Sequence, residues 1–194
     1  MLIGHSNIRK RDIVLEIGAG SGVITYALTK KCRTVIAVEP DKKTAEKLRA
    51  NLARQGVEVR DYAEFPRAFE APNEARETEM DGKSIVYLAE MDFLEMELPE
   101  CNYKVFANPP FHLSSVIVHK LIEAKNPPES FYLILQKQFA LKLLLTDRHY
   151  TSQLGQEVIK KYQTKIKYPL KPTDFTPPPA VPTVLFEAKR IPTI

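Results

Sequence analysis

Asn108-Pro109-Pro110-Phe111 is the sharpest chemical signal in this chain. Two consecutive prolines fix φ at both positions and remove two backbone donors. What remains nearby is acceptors: the Asn108 side-chain oxygen and the Pro109 carbonyl. Such a pair suits a planar NH2 group that must be held by both hydrogens. An amine conjugated to a ring is a poor nucleophile because its lone pair is delocalised. Two acceptors bias it toward a tetrahedral nitrogen whose lone pair points at an electrophile. Phe111 offers a flat face for a base, worth ~1–3 kcal/mol per stacked base. The plainer reading, a proline-rich turn with a core phenylalanine, stays open on these residues alone.

A second group is Glu16-Ile17-Gly18-Ala19-Gly20-Ser21-Gly22. Glycines there let the backbone turn tightly and let a ligand press on bare main chain. The G-x-G-x-G spacing departs from the G-x-G-x-x-G that seats a pyrophosphate on a helix N-terminus. Glu39 follows at the end of the next apolar run, where a carboxylate can accept both hydroxyls of a ribose. The ligand implied has a ribose and no phosphate on the helix; a tight structural turn beside a surface acid is the alternative. A third group is Met91-Asp92-Phe93, where Asp92 suits an adenine amine and Phe93 its ring. A surface helix cap explains Asp92 equally well.

These groups need a scaffold that presents them together. Residues 13–17 and 34–38 are short apolar runs, each followed by helical periodicity, over about 21–31 and after Asp41. Asp41 is placed to cap that second helix and Gly56 to stop it, with Ala45, Leu48, Leu52 and Ala53 on one face. Further strands are expected at 84–91, 103–107, 131–135, 162–168 and 183–189, and helices at 113–125, 137–146 and 152–161. This alternation predicts a doubly wound α/β sheet with the site at the strands' carboxyl ends. Residues 57–83, rich in Glu, Arg, Pro and Asp, read as an insertion. Six of the 15 prolines (169, 172, 177, 178, 179 and 182) separate the last two strands, predicting a stiff connector without regular structure.

Composition sets outer bounds. With 194 residues, 44% hydrophobic and 27% charged, the chain suits one folded domain. Collagen, disordered tails and disulfide-stapled miniproteins are excluded. No run approaches the ~18 apolar residues of a membrane span, and the start lacks the apolar core of a signal peptide, so a cytoplasmic protein is expected. Cys32 and Cys101 read as free thiols, and His5, His112, His119 and His149 have no metal-like spacing. Residues 61–100 carry 12 acids and three bases, while the rest carry 12 acids and 25 bases. A basic surface of that kind suits phosphate. Lys137, Lys142, Lys160, Lys161, Lys165, Lys167 and Lys171, interleaved with Tyr162 and Tyr168, are candidates for it; an ordinary solvated face fits as well.

EIGAGSG, VIAVEPD, MDF and NPPF, in this order, resemble a Rossmann-like class I methyltransferase using S-adenosyl-L-methionine. The N-P-P-F form is found in enzymes that methylate amide or ring-attached amines. Residues 132–144 and 174–189 narrow the resemblance to the ribosomal RNA adenine-N6 dimethyltransferases, which include erythromycin-resistance methylases and small-subunit dimethyladenosine transferases. The resemblance implies a mostly parallel seven-stranded sheet with helices on both faces, an antiparallel strand near the C-terminus, and a single catalytic domain over 1–194. It implies Gly18, Ala19, Gly20, Gly22, Glu39, Pro40, Asp92, Phe93 and Asn108 around the cofactor. It puts Asn108, Pro109, Pro110 and Phe111 at the target base. No metal is called for, ribosomal RNA is the expected partner, and a monomer the expected state. The family's Gln-Asn-Phe-Leu segment is not found before the first strand, and its C-terminal helical domain is expected to be absent or truncated. Two other readings remain: a glutamine-N5 protein methyltransferase, and a catalytically silent RNA-binding or ribosome-assembly factor.

Overall fold

A β-branched or leucine-rich run bounded by glycine or charge satisfies its backbone and buries both faces only as an inner strand. The computed structural model of the chain describes residues 2–65, 83–144, 151–175 and 177–192. Its strands are β1 (Ile13–Ile17), β2 (Thr34–Val38), β3 (Glu58–Asp61), β4 (Ile85–Ala89), β5 (Lys104–Ala107), β6 (Ser130–Gln136), β7 (Tyr162–Leu170) and β8 (Thr183–Arg190). The helices are α1 (Val23–Thr29), α2 (Lys42–Arg54), α3 (Ser114–Glu123), α4 (Lys137–Lys142) and α5 (Gln153–Lys161). The sheet order is β3-β4-β2-β1-β5-β6-β8-β7. Two compact units make up the chain: Asn7–Glu97, and Leu98–Ile194 with Met1–Ser6.

In the Asn7–Glu97 unit, β1, β2, β3 and β4 pair in parallel. Val14, Leu15, Val35, Ile36 and Val86 are fully buried there, as are Ala45, Leu48 and Leu52 of α2. Asp41 caps α2, its Oδ1 accepting the Thr44 N–H at 2.8 Å, and Gly56 (φ 69°) turns the chain out of it, as the spacing predicts. Ala53, expected on the buried face, is exposed. Cys32 is buried and Cys101 partly so, and both are free thiols. Burial pushes the Cys32 thiol up to about 12, which leaves it inert at neutral pH.

In the other unit, β5 and β6 are parallel, and β8 runs antiparallel to both β6 and β7. Phe106, Phe131, Tyr132 and Phe186 form its core. The expected antiparallel strand near the C-terminus is therefore β8.

Three expectations need correction. The sheet has eight strands, not seven. The additional one, β3, lies inside the segment 57–83 taken for an insertion. Its sequence, Glu-Val-Arg-Asp, buries no residue fully, and an edge strand of that kind carries no apolar pattern to betray it. Residues 66–82 of that segment, and 145–146 of the helix expected over 137–146, lie outside the described residues. The second correction is the proline connector, which is not devoid of regular structure: β7 runs through Pro169, and Pro172–Asp174 form a 3-10 turn. A proline is tolerated on an edge strand because no neighbour awaits its missing N–H. The third concerns Tyr162, counted among residues facing phosphate. It is 1% exposed, and its hydroxyl donates to the Pro128 carbonyl at 2.9 Å.

Candidate active site

After Ile17, the chain takes Gly18 (φ 71°), Gly20 (57°) and Gly22 (89°) through the left-handed region. A Cβ there costs ~1–2 kcal/mol per residue. These three residues also delay the helix: expected from Ser21, it starts at Val23. The Gly18 and Ala19 N–H groups both donate to the Val38 carbonyl at 3.0 Å, which ties the turn to the end of β2.

Glu39 follows directly and is 8% exposed. Its Oε2 accepts the Gly20 N–H at 2.9 Å and its Oε1 the Asp41 N–H at 3.1 Å. Its own N–H donates to the Ala89 carbonyl, at the end of β4. The carboxylate is thus oriented by main chain alone, and each oxygen keeps lone pairs for a diol. Nothing lies within 4 Å of where a Gly20 side chain would stand, so bare backbone faces open space. This set fits a ligand that lays a ribose on Glu39 and its remainder along the glycine turn.

Gly22 is crowded instead. A Cβ there would stand 3.2 Å from Leu48 Cγ on α2, at a φ of 89°. Gly22→Ala is expected to destabilise the fold by ~1–3 kcal/mol and lower the melting temperature by several degrees. Thermal unfolding measures this, and an unchanged midpoint would contradict the close approach.

Asp92 is exposed beyond β4, and its Oδ1 accepts the Leu94 N–H at 2.8 Å, capping its own turn. Phe93 is 5% exposed, so its ring belongs to the core of this unit. Pro40 is exposed beside Glu39.

Glu16 opens the glycine-turn group in the sequence, but sequence reasoning assigned its side chain no role. It is 1% exposed at the end of β1, one position before Ile17 and the turn. No hydrogen bond of good geometry reaches either carboxyl oxygen or the Thr25 hydroxyl, although Thr25 stands close enough, through its side chain and its main chain, for a weak polar interaction with the carboxyl. Burial pushes the Glu16 carboxyl up to about 8; Thr25 draws it back in part and Glu39 raises it further. The available signal was a lone acid within the apolar run IVLEI.

In the other unit, β5 ends at Ala107, and Asn108 is the first exposed residue past the strand. Among the described residues, nothing holds its side-chain amide by a hydrogen bond. Pro109 is buried and Pro110 exposed; the Pro110 carbonyl accepts the Leu113 N–H at 2.9 Å, closing a 3-10 turn over Phe111–Leu113. Phe111 is half-buried and His112 exposed. The tetrapeptide therefore stands at the carboxyl end of a parallel strand with its amide uncommitted.

A family model for ribosomal RNA adenine dimethylase matches residues 2–193. The chain belongs to this family. The dimethyladenosine transferase of Saccharomyces cerevisiae is 30% identical over 143 residues, which are 74% of this chain and 37% of that protein. A mitochondrial ribosomal RNA small subunit methyltransferase of Arabidopsis thaliana is 30% identical over 182 residues, 93% of this chain and 41% of that protein. This adenine dimethylase-family chain thus spans about two fifths of those curated relatives. Among solved structures, a dimethyladenosine transferase from Plasmodium falciparum superposes with a TM-score of 0.75 at 22% identity, covering 98% of this chain and 60% of that one. The 23S rRNA methyltransferase ErmE gives 0.73 at 21%, covering 98% and 66%. At those identities the superpositions bear on the fold. Among the described residues of this family member, no helix is long and apolar enough to cross a membrane, and no group of three or more His, Cys, Asp or Glu side chains is placed to hold a metal.

Proposed function

We propose that the chain transfers methyl from S-adenosyl-L-methionine to N6 of an adenine in ribosomal RNA. The observation that carries this is the Asn108–Phe111 tetrapeptide at the end of β5, in a chain matched by the adenine dimethylase model over 2–193. The reading takes the two units as one catalytic domain, acting as a monomer in the cytoplasm.

The cofactor supplies an electrophilic sulfonium methyl. Glu39 accepts hydrogen bonds from its ribose, with Pro40 alongside. The main chain of Gly18, Ala19, Gly20 and Gly22 borders its methionine portion, and Asp92 and Phe93 border the adenine. Asn108 and the Pro109 carbonyl hold the two N6 hydrogens of the target base, and Phe111 stacks on it. Transfer would break the methyl–sulfonium bond as a bond forms to N6, the sulfur leaving as the neutral thioether S-adenosylhomocysteine and one N6 proton passing to solvent. Most of the acceleration is then positioning and charge placement. A paired adenine cannot present N6 to such a grip, so the target is a flipped or looped base.

Incubation with tritiated S-adenosyl-L-methionine and separated ribosomal RNAs tests the reading. Label is expected in RNA as N6-methyl- or N6,N6-dimethyladenosine. Label confined to protein, or to no acceptor, would overturn it.

A further inference from the structure

β7 closes one edge of the sheet, and its chemistry is unlike that of the other strands. In a regular strand, Lys165 and Lys167 would share one face and Tyr168 would take the other. The register breaks at this point: Lys165 pairs with Glu187 and Ile166 with Phe186, but Tyr168 pairs with Leu185. Glu187 and Leu185 lie on one face of β8, so the bulge turns Tyr168 to the face of Lys165. Lys167, the extra residue, is re-aimed too.

The two ammonium groups meet on one carboxylate. Lys165 Nζ lies 3.1 Å from Glu187 Oε2 and Lys167 Nζ 3.6 Å from Oε1. Glu187 is 6% exposed, whereas the Lys165 side chain is 60% exposed. Two cations share one anion, so the patch keeps a net positive charge with its lysine heads held in place. Beside them the His5 ring stacks on Tyr168, with centroids 4.5 Å apart and planes 23° apart. His5 is exposed, which leaves its outer face open. All these residues belong to one compact unit.

We propose that this patch is a docking platform for a single-stranded segment of RNA outside the target base, with a nucleobase on the His5–Tyr168 stack and phosphates on Lys165 and Lys167. Fixed cations beside an open aromatic face are what sequence-tolerant single-strand binding uses. Lysines and Pro169 also guard an edge strand against pairing with another chain. Edge protection, however, asks for neither a stacked aromatic pair nor a bulge that brings it to the lysine face. The proposal rests on the RNA reading above and assigns a second contact area to it.

Fluorescence anisotropy with a labelled, unstructured RNA of about 16 nucleotides tests it on the full chain. Lys165→Gln/Lys167→Gln is expected to weaken binding about tenfold and to reduce the log–log salt slope by about 1 to 1.5. His5→Ala is expected to weaken it about fivefold or more without changing that slope. Lys165→Arg/Lys167→Arg and His5→Phe should bind like the unaltered chain, which separates contact from folding. RNA affinity unchanged in the glutamine and alanine variants, with self-association rising in the former, would leave edge protection alone and overturn the proposal. So would failure of the unaltered chain to bind the RNA, or a loss confined to the lysine variant. Label transfer to ribosomal RNA is read separately. Transfer that persists with an RNA affinity indifferent to these residues removes the platform and keeps the activity.

Discussion

Asn108→Ala is expected to slow methyl transfer by about 100- to 1,000-fold, the usual loss when one preorganised polar partner of a transition state is removed. The amide stands past the end of β5, exposed and uncommitted. Its removal therefore leaves no buried polar group without a partner, and stability should shift by no more than ~0.5 kcal/mol. On the proposed reading only the grip would change: the Pro109 carbonyl could hold one N6 hydrogen, but nothing would oppose it, and the nitrogen would relax toward the planar, delocalised form. Asn108→Gln keeps the acceptor but carries it one methylene too far, and positioning errors of that size cost ~100-fold. Both variants should bind S-adenosyl-L-methionine like the unaltered chain, because Glu39 and the glycine turn are untouched. Single-turnover transfer and calorimetry of cofactor binding read the two halves independently. Turnover that survives Asn108→Ala would remove the amide from the reaction; a lost turnover with an equally lost cofactor affinity would move its role to cofactor binding.

How far the sequence reaches depends on whether a residue's burial is written in its neighbours. The inner strands were legible because runs such as Thr34–Val38 and Ile85–Ala89 are buried at every position, a pattern only a covered parallel sheet explains. The cap at Asp41 and the stop at Gly56 were legible because each is a local rule of backbone geometry. The glycine turn and Glu39 were legible as a pair, and the structure joins them through the Gly20 N–H. β3 was not, since a four-residue charged edge strand gains its place from β4 and not from its own pattern. The lysine stretch was read as one basic face, but tertiary partners sort it. Lys161 donates to the Ile122 carbonyl and to Glu123. Tyr162 is core, and a bulge turns Tyr168 toward Lys165 and Lys167. A bulge is a property of the pairing of two strands, and neither strand's sequence announces it.

Glu16 yields the other large expectation, a pH dependence of stability with an unusual sign. The carboxyl titrates near 4.5 when free and at about 8 in the fold, chiefly because burial disfavours its charged form. Below pH 4.5 both states hold the proton, and the group contributes no difference. As pH rises from there to about 8, the unfolded chain has lost a proton that the folded chain retains, so the folded state loses stability across that window. Above it the full penalty applies. Each unit of separation corresponds to ~1.4 kcal/mol, which puts the penalty on the order of 3–5 kcal/mol. Glu16→Gln removes the titration. The amide brings its own constant cost of ~1–3 kcal/mol for unmet hydrogen bonds, so the two proteins are compared by slope and not by level. Urea unfolding between pH 5 and pH 9 should show the unaltered chain losing stability relative to the variant, with Glu16→Gln the more stable of the two at pH 9. Parallel curves would mean that the carboxyl is solvated or partnered, and the turn that follows β1 would then rest on an ordinary ionised glutamate.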